Sequence, residues 1–220
     1  MFKEQQKSVE MDYMRGQREL NPAMRTILVN WMHDICRHFG MSQDTWFLAV
    51  NMVDRFLAKK SVSKSRLQLV GTGALFVASK FEDVYGPTSE ELSEMTDKAF
   101  EAEEILQMEC ILLNTLEFDL VVETPLTFVQ PEDHMTMFLV ELSLLHYEML
   151  QWTPAETVQA AEFFTKPDVP AGRVKDCLSA IKDVLRRTRF RTDHNESVYK
   201  KYSQKEQKGV AQKAMKFLAK

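Results

Sequence analysis

Five charged residues stand where helical periodicity calls for apolar side chains, or beside such positions. Asp54 and Arg55 interrupt a wide apolar face built from Trp46, Leu48, Ala49, Met52, Val53, Phe56 and Leu57. Glu109 falls inside the stripe Ile105, Leu112, Leu113, Leu116. Lys80 follows Leu69 to Ser79, a run without a single charge. A charge in an apolar helix face needs a partner, because desolvation is costly. Arg25, near the start of the preceding helical stretch, is the natural partner for Asp54. For Glu109 two readings stand. It pairs inside the chain, with Lys80 as the obvious candidate, or both point outward from one edge and bind something together.

This is chemistry of recognition rather than of bond making. There is no glycine-rich phosphate loop, no H-E-x-x-H and no serine nucleophile elbow. His33, His38, His134, His146 and His194 show no metal spacing with Cys or carboxylates. No catalytic constellation assembles, so the sequence reads as a binding protein and not an enzyme, with no cofactor and no metal. Met24, Trp31, Lys80 and Glu109 have the character of contacts.

Composition fits an ordinary soluble globular chain, at 45% hydrophobic and 27% charged residues. Seven Gly and seven Pro in 220 residues favour helix over turn-rich β structure. The net charge of −4 argues against a general affinity for nucleic acid. Cys36, Cys110 and Cys177 lie far apart in helical patterns, without a C-x-x-C, and read as buried reduced thiols of an intracellular protein. No run approaches 18 apolar residues and no signal peptide is recognisable, so no membrane partner is expected.

The elements that position these residues follow from spacing. Residues 1–20 are polar and suit a short, loosely attached helix. Asn21-Pro22 starts a helix in which Met24, Ile27, Leu28, Trp31, Ile35 and Phe39 recur at three and four, closed by Gly40. That stripe reads as core or as a partner groove. Ser42 or Asp44 caps the next helix, which runs to about Lys59. Ser63 suits the start of the central stretch, where Gly71, Gly73, Ala74, Ala78 and Ser79 surround the helix rather than lining one side. A helix that is apolar all round is enclosed by other helices. Its last turn, Lys80-Phe81-Glu82-Asp83, is either a solvated end or a contact site. Thr88 to Glu91 forms a capping box, and a long helix runs from about Ala102 to Leu116. From Thr124 the pattern restarts, with helices around residues 135–145, up to about Phe164, and from Arg173 to Thr188. Residues 186–220 are basic, with Arg186, Arg187, Arg189, Arg191 and many lysines, and read mainly as a solvated surface. The expectation is all-α, about eight helices in two sets joined near residues 119–125.

The segments MRTILVNWM (24–32), AVNMVDRFL (49–57), RLQLVGTGA (66–74), LFVASKFED (75–83) and LQMECILLNTLEFDL (106–120) resemble the cyclin box, in family order, from about Tyr13 to Thr127. The wording is most similar to the mitotic A and B cyclins, and leans to the B type. The resemblance implies two cyclin-box helical bundles in tandem, the second shortened. It divides the chain into an N-terminal helix or extension (1–20), a first box (21–121), a second box (122–205) and a basic C-terminal tail (206–220). It also implies a regulatory partner of a cyclin-dependent kinase in G2/M control, found in nucleus and cytoplasm. Lys80 and Glu109 would hold the kinase, with Phe81, Glu82, Asp83 and Phe118 beside them. Met24, Ile27, Leu28, Trp31, Asp34 and Gln68 would form the patch that docks Arg-x-Leu-type motifs of substrates or inhibitors. Arg25 and Asp54 would be the family's internal salt bridge.

The chain departs from the family pattern in places. Asn30 stands where Asp is usual in the docking patch, and Asp34 where Glu is common. The helix preceding the first box reads as short, ending by about Met11. The second box's first helix is reduced to about TPLTFVQ (124–130), and its fourth has no clear counterpart before Arg173. An N-terminal destruction motif is not recognisable, since Arg25-x-x-Leu28 and Arg66-x-x-Leu69 fall within helices. A cyclin-fold transcription factor that binds DNA, or a scaffold that activates no kinase, are the competing classes.

Overall fold

The computed structural model describes residues 12–130, 132–168, 170–190 and 197–218. The helix expected over the first residues lies largely outside them, as do Arg191 and His194. Among the described residues there are ten α-helices and no strand. The chain divides into two compact units, Met1–Glu123 and Thr124–Lys220.

The first unit holds α1 (Pro22–Phe39), α2 (Gln43–Lys59), α3 (Leu67–Glu82), α4 (Ser89–Met95) and α5 (Ala102–Thr115). Their ends are set by local chemistry. The Asn21 side chain accepts the Met24 N–H and Pro22 occupies the first turn of α1. Gly40, left-handed at φ +64°, closes it. Ser42, not Asp44, caps α2 by accepting the Thr45 N–H. Ser63 does not cap α3; a single 3-10 turn, Lys64–Arg66, leads into it. The Thr88–Glu91 capping box starts α4.

Helix α3 touches each of the other four helices of its unit. Its residues Leu67 and Leu69 to Ser79 are all buried. The two polar side chains among them are satisfied locally: Thr72 donates to the Gln68 carbonyl and Ser79 to that of Phe76. The glycines explain the close packing. A Cβ on Gly71 would lie 2.7 Å from Leu28 Cδ1, and one on Gly73 2.6 Å from Met108 Cγ. Each glycine costs roughly 1 kcal/mol of helix propensity, and close approach of α1 and α5 offsets it.

The second unit holds α6 (His134–Leu144), α7 (Pro154–Glu162), α8 (Gly172–Phe190), α9 (Ser197–Ser203) and α10 (Val210–Leu218). Here α6 is the hub, in contact with α7, α8, α9 and α10. The segment expected to be a reduced first helix is a 3-10 turn, Pro125–Thr127. Two expectations change. The helix beginning near Arg173 is not the last, and residues 206–220 are not simply a basic tail. Val210, Ala211 and Ala214 are buried where α10 packs on α6, α8 and α9. The abundant lysines around them hid this stripe.

Candidate functional site

The last turn of α3 emerges from the core at Lys80. Its ammonium donates to both oxygens of Glu109 on α5, at 2.8 and 2.9 Å. It also sits 3.8 Å from the centroid of the Phe76 ring. The pair is therefore internal, yet it stands at the surface, with Lys80 48% exposed. Of the two readings open at the sequence level, the internal pairing is the one observed, with Lys80 half exposed and Glu109 17% exposed. Phe81 beside them is half exposed.

Glu82 and Asp83 differ in situation. Asp83 accepts the Ser42 N–H at 3.0 Å through one oxygen and the Thr45 hydroxyl at 2.6 Å through the other. Its carboxylate thus staples the end of α3 to the start of α2, which makes Asp83 a strut of the site. Glu82 is exposed. Partial burial, with the nearby Asp44 and Asp83 carboxylates, pushes its carboxyl above the ordinary glutamate range.

Phe118 follows the end of α5 and is 66% exposed. The backbone there makes a Schellman turn: the Glu117 N–H bonds the Asn114 carbonyl and the Phe118 N–H that of Leu113. Glu117 and Phe118 are both left-handed, at φ +58° and +56°, a conformation costly for side chains larger than glycine. No sequence signal marks it, because glycine is absent.

The expected docking stripe on α1 divides. Leu28 and Ile35 are buried, Leu28 against α3 at Gly71. Ile27 points out, 71% exposed, and Met24 and Trp31 are partly exposed. Asp34 is exposed, and Gln68 is partly exposed in the first turn of α3. The stripe is neither all core nor all groove.

Arg25 and Asp54 meet in the core. Arg25 Nε and Nη2 donate to the two Asp54 oxygens at 2.6 and 2.7 Å. The Tyr13 hydroxyl donates to the same carboxylate at 2.6 Å, a partner that sequence reading did not supply. Burial alone would lower the Arg25 pKa; the Asp54 charge and hydrogen bond outweigh it and raise it. The second charge in the α2 face, Arg55, donates to the Asp119 carbonyl at 2.9 Å. Gln17 also went unseen. Its amide bridges the carbonyls of Leu57 and Lys60 and accepts the Val62 N–H, tying residues 12–20 to the α2–α3 connection.

Among the described residues no group of three or more His, Cys, Asp or Glu side chains is placed to hold a metal ion. No described helix is long and apolar enough to cross a membrane. Cys36 and Cys177 are buried, and burial pushes both thiols up to about 12; Cys110, expected to be buried, is exposed on α5.

Residues 1–121 match the family described as cyclin, N-terminal domain. Among curated relatives, Cyclin-B2-1 of Oryza sativa subsp. japonica is 38% identical over 170 residues, covering 73% of this chain and 40% of the relative. G2/mitotic-specific cyclin-2 of Medicago sativa is 38% identical, covering 70% and 50%. Cyclin-B1-2 of Arabidopsis thaliana is 34% identical, covering 90% and 50%. The chain thus spans about half or less of these relatives' length. Among solved structures, a viral cyclin from herpesvirus saimiri matches with a TM-score of 0.63 at 22% identity, over 78% of this chain and 85% of that one. A chain of the CAK complex from Chaetomium thermophilum bound to ATP-gamma-S matches with a TM-score of 0.53 at 17% identity, over 97% and 72%. These structural likenesses speak to the fold. With a family match over more than half of its residues and B-type and mitotic relatives, this chain belongs to the cyclin family.

Proposed function

We propose that this chain is a non-catalytic regulatory subunit that binds and activates a cyclin-dependent serine/threonine protein kinase in G2/M control and helps recruit its substrates. One observation carries the reading. At the open end of an otherwise enclosed helix, Lys80 and Glu109 form an ion pair beside the half-exposed Phe81. The mutual bonds hold both side chains in one geometry, so less freedom is lost when a partner docks.

The physical route to activation is population shift. Kinase chemistry needs an internal Lys–Glu pair and an ordered activation loop. A rigid helical surface that binds only the active placement of the kinase's movable helix draws the kinase to that state. Lys80, Phe81, Glu82, Glu109 and Phe118 supply contacts, and Asp83 fixes the last turn of α3. Met24, Ile27, Trp31, Asp34 and Gln68 take Arg-x-Leu-type motifs, with Leu28 as the floor beneath them. The reading places the protein in nucleus and cytoplasm, with no nucleic-acid partner.

The test is co-purification of the chain with a cyclin-dependent kinase, followed by a histone-kinase assay. Wild type is expected to capture and activate the kinase, and Lys80→Ala with Glu109→Ala to lose both. Full capture and activation by that double variant would overturn the assigned interface. Capture without activation by wild type would favour a scaffold.

A further inference from the structure

We propose that Arg55 and Lys59 are positioning residues that clamp the end of α5, so that the Phe118 ring stands out toward the kinase; this rests on the reading above. The turn they clamp is strained by its own sequence. Helix α1 ends in the same Schellman turn with Gly40 at the left-handed position. At the end of α5 that position is Glu117, and the next left-handed residue is Phe118. Side chains of this size hold such a conformation at a cost; the end of α4 adopts it as well, at Asp97 and Lys98, and what sets the α5 turn apart is its contact with two cations.

These contacts come from one face of α2. Lys59 Nζ donates to the Thr115 carbonyl at 3.0 Å and to the Glu117 carboxylate at 3.3 Å. Arg55, one turn earlier, donates to the Asp119 carbonyl at 2.9 Å and lies 3.4 Å from its carboxylate. Arg55 also reaches Asn51 Oδ1 at 3.4 Å, which fixes its guanidinium along α2. The two cations therefore grip Thr115, Glu117 and Asp119, on both sides of Phe118, and leave Phe118 itself outside the core. A ring that is 66% exposed on a strained turn contributes little to folding. An aromatic side chain held on a fixed turn before a partner arrives loses less freedom on docking.

The experiment uses the full chain and a cyclin-dependent kinase captured by wild type, with affinity measured by titration calorimetry. The variants are Arg55→Met, Lys59→Met, Phe118→Ala and each cation variant combined with Phe118→Ala. Circular dichroism confirms folding at the assay temperature. Arg55→Met is expected to weaken binding about tenfold, and to weaken it no further once Phe118 is already Ala. Lys59, being half exposed, is replaceable without threat to the fold. If Arg55→Met does not fold, Lys59→Met decides the matter by the same non-additivity. Unchanged affinity, or losses that simply add to that of Phe118→Ala, would show a merely structural clamp and overturn the proposal. If Phe118→Ala alone binds like wild type while Lys80→Ala with Glu109→Ala does not, the clamp fails and the kinase reading survives. If neither weakens binding, both fall.

Discussion

Lys80 and Glu109 bridge α3 and α5 through two hydrogen bonds from one ammonium at the surface, whereas Arg25 and Asp54 make the equivalent two-point contact in the dry core. The same pair of charges thus has opposite consequences in the two places. An exposed pair is worth about 1 kcal/mol or less. Lys80→Ala and Glu109→Ala are therefore expected to shift urea unfolding midpoints only slightly, while kinase affinity falls about thirtyfold or more, the threshold of an interface hot spot at about 2 kcal/mol. A large stability loss with intact binding would identify the pair as a strut.

The buried pair behaves in the opposite way. Removing one partner strands the other charge without water. Arg25→Ala and Asp54→Ala are each expected to cost about 3–5 kcal/mol. Tyr13→Phe, which deletes one hydrogen bond to the Asp54 carboxylate, is expected to cost about 1–3 kcal/mol. Urea denaturation of the three variants checks the ranking, and a Tyr13→Phe loss as large as that of Asp54→Ala would contradict it.

Gly73 is expected to resist the usual stabilising exchange. Alanine in a helix ordinarily gains roughly 1 kcal/mol over glycine. At Gly73 the new methyl meets Met108 Cγ at 2.6 Å and Leu112 Cδ1 at 3.1 Å, so the Met108 side chain or the helix that carries it must shift. Overpacking of this kind costs about 1–3 kcal/mol. Gly73→Ala should lower the melting temperature measured by circular dichroism, and an increase would mean that α3 and α5 pack less tightly than the distances imply.

The enclosure of α3 was legible because composition round a helix reports directly on burial. Arg25–Asp54 and Lys80–Glu109 were legible because a charge in an apolar stripe demands a partner and few candidates exist. What stayed hidden has no local pattern. Tyr13 and Gln17 bond groups some forty residues away. Asp83 stands in a charged run, Lys80 to Asp83, that gives no hint of the Ser42 N–H and Thr45 hydroxyl bonded to its oxygens. The left-handed Glu117 carries no glycine to announce it. In α10 three small apolar residues, Val210, Ala211 and Ala214, are too few to stand out among lysines.

Cysteine accessibility offers a direct check on α5. Cys110 is exposed, whereas Cys36 and Cys177 are buried with thiols raised to about 12. At pH 8 a neutral alkylating reagent is expected to modify Cys110 alone in the folded chain and all three in urea, read by mass spectrometry. Rapid labelling of Cys36 in the folded chain would contradict the packing of α1.

Glu141 gives the second unit a signed pH dependence. It lies fully buried in α6, where its carboxylate accepts from Lys201 and from the Tyr202 hydroxyl. Burial pushes its carboxyl upward, and the two partners offset this only in part. An acid with a raised folded pKa holds its proton longer when folded. Its stabilising contribution is complete below the ordinary glutamate value, near 4.3 for the unfolded chain, and is lost as pH rises through the raised one. Urea midpoints of wild type are therefore expected to fall relative to Glu141→Gln as pH increases above about 4.3, because the amide does not titrate. Parallel curves for the two proteins would show that Lys201 and Tyr202 fully compensate the buried charge.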